Sequence, residues 1–181
     1  MSAAGFDRGA NRLGALALRL TDRMQLAVTE GGARSPSAAA ALSALERFFT
    51  GAPSIDDVRR VLGLTSSGAV RLVDTLEADG LVRRGRGADG RVSTVTLTAR
   101  GRREARAVVD ARATVLADAL APLTAEERAA LAPIVDKVLV GLVRGPRPPA
   151  AMCRLCATEV CGAPRGEPCE ITRTALDLAA E

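Results

Sequence analysis

All four cysteines of the chain lie between residues 153 and 169, as Cys153-x2-Cys156-x4-Cys161-x7-Cys169. A cytosolic chain seldom spends such a cluster on structural disulfides, so its first reading is metal or redox chemistry. Two thiolates two residues apart can face one ion, and four thiolates complete a tetrahedral zinc site without histidine. The chain contains no His. Gly162, Pro164, Gly166 and Pro168 suit a tight loop closing around the metal. Structural zinc held by Cys153, Cys156, Cys161 and Cys169 is therefore the expected cofactor. Three alternatives stay open: a thiol switch, with Arg154 and Arg165 lowering the thiol pKa values; an iron–sulfur cluster; and reduced thiols on an unfolded tail. Zinc and a switch are compatible, since oxidation ejects the metal. The lack of His also removes every Ser-His-Asp or Cys-His catalytic arrangement. A Cys-x-x-Cys redox enzyme would set its motif at a helix start beside a βαβ unit, and none is present. An enzyme is not expected.

The other candidates for chemistry are cations. There are 25 basic residues against 21 acidic, for a net charge of +4, and every basic residue except Lys137 is Arg. Codon bias in a GC-rich genome accounts for much of that excess. Arg is nonetheless the fork that fits phosphates and guanine edges, so the composition permits nucleic-acid binding. Aromatic residues make up 2%, with no Trp or Tyr, which excludes an aromatic stacking platform for single strands and leaves duplexes. Arg83, Arg84, Arg86 and Arg91 crowd one short stretch, where they would repel one another without an anion nearby. No apolar run is long enough to span a membrane. Asp7, Arg12 and Arg19 interrupt any signal-peptide pattern, so the cytoplasm is the expected location.

These residues need a scaffold, and the hydropathy pattern describes one. Leu13, Leu16, Leu20, Met24 and Ala27 mark a helix over 6–30, broken by the segment 31–36. A second helical pattern runs from Ser37 to Phe49, with Leu42, Leu45, Phe48 and Phe49 inward. Ser54 caps a third, short helix that carries Asp56 and Asp57 in its first turn. Gly63-Leu64 forms a turn, and Thr65 caps a fourth helix with Ala69, Leu72, Val73 and Leu76 inward, stopped by Gly80. Two short amphipathic helices joined this way read as helix-turn-helix. Two β-branched runs around Asp89-Gly90 then make a β-hairpin. Thr98 caps a long helix to about Leu120. Thr124 and Glu127 form a capping box for another, striped by Leu131, Ile134, Val135, Val138, Leu139, Leu142 and Val143. Pro133 inside that stripe predicts a kink or a break. The stripe must bury against a partner subunit or the chain's own core. Residues 146–181 form a Pro-rich linker and the Cys-rich tail.

The order of elements, with LTSSGAVRLVDTLEADGLVRR (64–84) and GADGRVSTVTLTARGR (87–102), resembles the MarR family of winged helix-turn-helix transcriptional regulators over residues 6–145. The likeness lies in the Ser/Thr-rich start of the recognition helix, the Leu76-Glu77-Ala78-Asp79-Gly80-Leu81-Val82-Arg83-Arg84 exit, the wing with Asp89-Gly90-Arg91, and Leu97-Thr98-Ala99-Arg100-Gly101. The Cys tail departs from the family's usual end. The resemblance implies a mainly α fold of α-α-α-α-β-β-α-α order. Residues 6–31 and 98–145 would form a helical dimerisation domain, and 37–97 the winged helix-turn-helix. It further implies a homodimer on double-stranded DNA with a pseudo-palindromic operator. The expected form is a repressor released by a small-molecule inducer or by thiol oxidation. The alternative is a zinc-containing protein-interaction adaptor on a winged-helix scaffold.

The helical wheel assigns the docking face independently of the family. Ser67, Val70, Arg71 and Asp74 lie opposite the apolar stripe of the fourth helix. Arg71 can fork onto guanine and Val70 can meet a thymine methyl. Thr65, Ser66 and Ser67 at the helix N-terminus suit phosphates. Arg83, Arg84 and Arg86 belong to the same surface. By the resemblance, Arg91 enters the minor groove and Asp89 orients it.

Overall fold

The computed structural model describes residues 7–30, 35–87, 93–143, 154–156, 160 and 169–177. Its elements are α1 (Arg8–Glu30), α2 (Pro36–Arg47), α3 (Ile55–Leu62), α4 (Ser66–Ala78), β1 (Val82–Arg86), β2 (Ser93–Leu97), α5 (Ala99–Leu120), α6 (Ala125–Val143) and α7 (Glu170–Asp177). The fold is mainly helical with a two-stranded antiparallel wing, as the element order predicts.

Helix starts follow the capping residues. The Ser35 hydroxyl accepts from the Ala38 N–H at 3.1 Å, and Pro36 is the first residue of α2. The expected start at Ser37, with Pro36 in the break, is one residue late, because proline's fixed φ suits the first helical position. Residues 38–44 of α2 are all buried, more than one amphipathic face provides. The cause is packing against α1, α3, α4, α5 and β2 at once. Phe48 and Phe49 fall just past the helix and are half-buried, their rings edge to face at 5.6 Å.

At α3, Ser54 and Asp57 exchange hydrogen bonds in a capping box, the Asp57 N–H reaching the Ser54 hydroxyl at 3.1 Å. Gly63, at φ 65°, closes the helix, and the Leu64 N–H returns to the Arg59 carbonyl at 3.0 Å. Thr65 then caps α4 by accepting from the Gly68 N–H at 3.1 Å.

The exit of α4 is a Schellman motif. Gly80 takes φ 68°, the Leu81 N–H bonds the Leu76 carbonyl at 2.9 Å, and the Gly80 N–H bonds the Glu77 carbonyl at 2.9 Å. Leu81 and Leu76 both enter the main core, with Leu42, Val73, Val82, Val95, Leu97 and Ala105. The strands pair from Val82 opposite Leu97 to Arg86 opposite Ser93. The far edge of β2 is also occupied: Ser54 bridges Thr94, and the Val95 N–H bonds the Pro53 carbonyl at 2.9 Å. The hairpin reading missed this third strand segment, since a single bridge has no alternation to detect.

Thr124 and Glu127 cap α6 reciprocally, at 2.9 and 3.2 Å. The helix does not break at Pro133 but continues to Val143. A proline forfeits one backbone bond there and crowds the carbonyl four residues before it, a local cost that the rest of this 19-residue helix outlasts. The stripe of α6 is not covered by the chain's own core. Ile134 is 59% exposed and Leu142 71%, and the α6 packing that dominates is against α7. Helix α7 was not anticipated.

Helix α5 begins against the wing root. Thr98 donates its N–H to the Leu81 carbonyl at 2.9 Å and its hydroxyl to the Gly80 carbonyl at 2.7 Å, while accepting from the Gly101 N–H at 3.0 Å. A side chain at Gly101 would place Cβ 1.9 Å from the Leu81 carbonyl oxygen. Backbone cannot yield there as a flexible side chain could. Gly101→Ala is expected to destabilise by about 3 kcal/mol or more. Gly14→Ala, where a Cβ meets nothing within 4 Å, should be neutral or stabilise by up to about 1 kcal/mol. Urea unfolding midpoints of the two variants check this; equal midpoints would refute the close-approach argument.

Candidate nucleic-acid interface

The recognition face is built by what α4 leaves outside. Ala69, Val73 and Leu76 are buried and Leu72 half-buried, while Thr65, Ser66, Ser67, Val70, Arg71 and Asp74 are exposed. Val70 is 43% exposed, a large aliphatic side chain presented to solvent beside a guanidinium. Thr65 is occupied as the cap. Ser66 and Ser67 sit in the first turn, where backbone N–H groups and the helix dipole favour an anion.

The wing stands off the core. In β1 only Val82 is buried, and Arg83 through Arg86 are exposed. The four arginines named from the sequence separate into different situations. Arg84 is engaged: its guanidinium pairs with Asp74 and lies 3.7 Å from Glu77. Its backbone N–H also donates to Glu77 Oε1 at 3.0 Å. The anion that this crowd of arginines requires therefore comes from α4 itself. Arg84 pins the wing root to the C-terminal half of the helix rather than projecting outward. Arg83 reaches across the strand pair, Nε to Thr96 Oγ1 at 3.4 Å. Arg86 is exposed near the wing tip. Asp89 and Arg91 lie outside the described residues. The Asp74–Arg84–Glu77 set was missed because Asp74 was read only as part of the outward face. The signal was there: two acids on that face, one turn apart, ahead of an Arg just beyond the glycine turn.

Helix α3 uses up its cations in the same manner. Asp56 takes Arg59 Nε at 2.6 Å and Arg60 at 2.8 Å. Those two hydrogen bonds, Arg59's first, hold the Asp56 carboxyl below the usual carboxylate range. Within the described residues Arg71 and Arg86 make no ion pair. Among the described residues of α3, α4 and the wing, the cations without an ion pair are thus Arg71, Arg83 and Arg86.

Of the four proposed thiol ligands, Cys156 and Cys169 are described and half-buried; Cys153 and Cys161 lie outside the described residues. Cys169 Sγ is 3.4 Å from Thr172 Oγ1. No group of three or more potential ligands gathers among the described residues.

Residues 34–91, from the approach to α2 through the wing, match the model of the MarR family. Over those residues the chain is similar to the MarR family, and α3, α4 and the β1–β2 hairpin there have the order of a winged helix-turn-helix. Solved structures extend the likeness past this MarR-type module. A MarR family protein from Bacillus stearothermophilus aligns with TM-score 0.66 at 24% identity, over 80% of this chain and 99% of its own. The PcaV transcriptional regulator from Streptomyces coelicolor, solved with its natural ligand, aligns with TM-score 0.55 at 28% identity, over 76% of this chain and 96% of its own. A MepR variant from S. aureus bound to an oligodeoxyribonucleotide aligns with TM-score 0.56 at 16% identity, over 76% of this chain and 99% of its own; like the 24% match, it supports the fold alone. No curated protein matches the sequence significantly. No described helix is long and apolar enough to cross a membrane.

Proposed function

We propose that this chain is a sequence-specific, double-stranded DNA-binding transcription regulator that acts as a homodimeric repressor. The observation that carries the reading is the outer face of α4. Ser66, Ser67, Val70 and Arg71 are exposed on a helix whose opposite face is buried and whose end is pinned to the wing by Arg84, and Ser67 touches only the capping Thr65 hydroxyl, at 3.4 Å. In this reading α4 enters the major groove. Arg71 reads a guanine edge, Val70 contacts a thymine methyl, and Ser66, Ser67 and the helix N-terminus hold phosphates. Arg83, Arg86 and Arg91 follow the backbone or the minor groove. Arg84 contributes by orientation. A protein-interaction adaptor would have no need of this outward charge. Release by a small molecule is supported by the neighbour solved with its natural ligand.

Dimerisation is supported by two bare apolar faces. Leu13 and Leu16 on α1 are each 52% exposed, and Ile134, Val135, Val138 and Leu142 on α6 face solvent. A two-fold dimer joined through them would present two recognition helices to a pseudo-palindrome with half-sites about one DNA turn apart. Zinc in the tail remains our proposal from the cysteine spacing, with Cys153, Cys156, Cys161 and Cys169 as ligands.

Each part has its own measurement. On an operator obtained by affinity selection, neutralising about six phosphates should cost roughly a thousandfold in affinity between about 50 and 200 mM salt. Arg71→Ala should relax base preference at one position per half-site, by roughly 1–3 kcal/mol. An unchanged sequence preference in Arg71→Ala would refute the docking face. Sedimentation should show a dimer at micromolar concentration that Leu16→Asp or Leu142→Asp converts to monomer; a wild-type monomer would rule the dimer out. Metal analysis should find one zinc per subunit, lost in any single Cys→Ser variant. Protein without metal but with four titratable thiols would dispose of the site.

A further inference from the structure

The tail is more than an appendage, because two of its described parts rest on the helices. Leu155 packs against a small apolar cluster made by Val28 near the end of α1, Ala39 in the first turn of α2 and Val108 in α5. These three residues come from the helix that opens the winged module and from the two long helices beside it. Helix α7 packs on α6. Thr172 in α7 is only 7% exposed. One segment thus holds two sites on the helical body, one of them where that body meets the DNA-binding module.

The junction that Leu155 covers is not packed for maximal stability. Ser43 lies one turn after Ala39 on the same face of α2. It is 1% exposed, and its hydroxyl has no hydrogen-bond partner among the described residues. A buried hydroxyl left unsatisfied raises the energy of the packed state. The face is otherwise small: Ala39 offers little area to Val28 of α1 and Val108 of α5, so a leucine from outside adds a substantial share of the contact. An added contact at such a junction limits how far α2 can shift relative to α1 and α5. A winged module so restrained loses less conformational entropy on binding DNA.

We propose that the C-terminal segment is an intramolecular strap. Leu155 wedges the α1–α2–α5 junction, α7 anchors the segment on α6, and together they hold the winged module in its DNA-competent placement. The occupant is the chain's own tail. The effect on operator affinity rests on the DNA-binding reading above; the docking does not.

The test uses the full-length chain with Leu155→Asp, Leu155→Ala and, as the conservative control, Leu155→Met. Hydrogen exchange is followed in peptides covering Val28, Ala39, Val108 and residues 169–177, alongside operator affinity. The expected result for Leu155→Asp is faster exchange at the junction and an affinity lower by about fivefold or more. Leu155→Ala should lie between it and wild type, and Leu155→Met should behave as wild type. Should Leu155→Asp fail to fold, the alanine variant decides. Unchanged exchange at the junction overturns the docking. Faster exchange with unchanged affinity overturns the coupling. If the wild-type chain binds no DNA, the fault lies with the DNA-binding reading, and the exchange data still judge the strap.

Discussion

The carbonyl of Leu81 is the point on which the arrangement of this molecule turns. It receives the Thr98 N–H at 2.9 Å, and Gly101 must lack a side chain for α5 to approach it. The N–H of the same residue closes the Schellman motif of α4 on Leu76. Its side chain is buried in the main core. One residue therefore fixes the end of α4, the first strand of the wing and the start of the long helix that leads out of the module. Rotation of α4 against α5 would break two backbone hydrogen bonds and open the core together. The outer face of α4 is consequently aimed by backbone geometry, and its side chains can be chosen for contact with a ligand.

Charge is distributed by a parallel logic. A guanidinium already paired with a carboxylate contributes little to an external anion, since the partner must first be given up. Asp56 satisfies Arg59 and Arg60 on α3, and Asp74 with Glu77 satisfies Arg84. These pairs are exposed, so each adds little stability. Their consequence is positional: the arginines of α3 and Arg84 at the wing root are paired, while Arg71, Arg83 and Arg86 on α4 and the wing are exposed without an ion pair. A net charge of +4 conveys none of this, because it sums paired and unpaired cations alike.

Much of this was legible in the residues because it is local. Caps at Ser54, Thr65, Thr98 and Thr124, and the stop at Gly80, bond within a few residues of themselves, so their spacing announces them. The buried positions Ala69, Val73 and Leu76 follow from helical period alone. What escaped is non-local or too short to show a period. The bridge from Ser54 to Thr94 joins residues far apart in sequence, and the Arg84 pairing depends on how the wing folds back on α4. The wholly buried run 38–44 reflects the several elements packed around α2. Helix α7 spans Glu170–Asp177, barely two turns, in a segment read for its cysteines. The continuity of α6 through Pro133 is a matter of magnitude, one lost bond against the remaining helix and its packing.

The exposed faces of α1 and α6 and the docked tail pose one problem of burial. Isolated exposed leucines are ordinary, but Ile134, Val135, Val138 and Leu142 follow one another along a single helix, and Leu13 and Leu16 do so along another. The tail does not relieve them. Leu155 goes to the far end of α1, at Val28, and α7 takes part of α6 while those four residues stay exposed. Helix α6 therefore answers to two neighbours at once, the chain's own C-terminal helix and whatever buries the remaining stripe. A shift of α7 along α6 would alter the surface offered to a second subunit, and a shift at Leu155 would alter the seating of the winged module. Cys156 adjoins Leu155, and Cys169 immediately precedes α7. Any chemistry that changes the geometry of these thiols acts one residue from each of the two contacts.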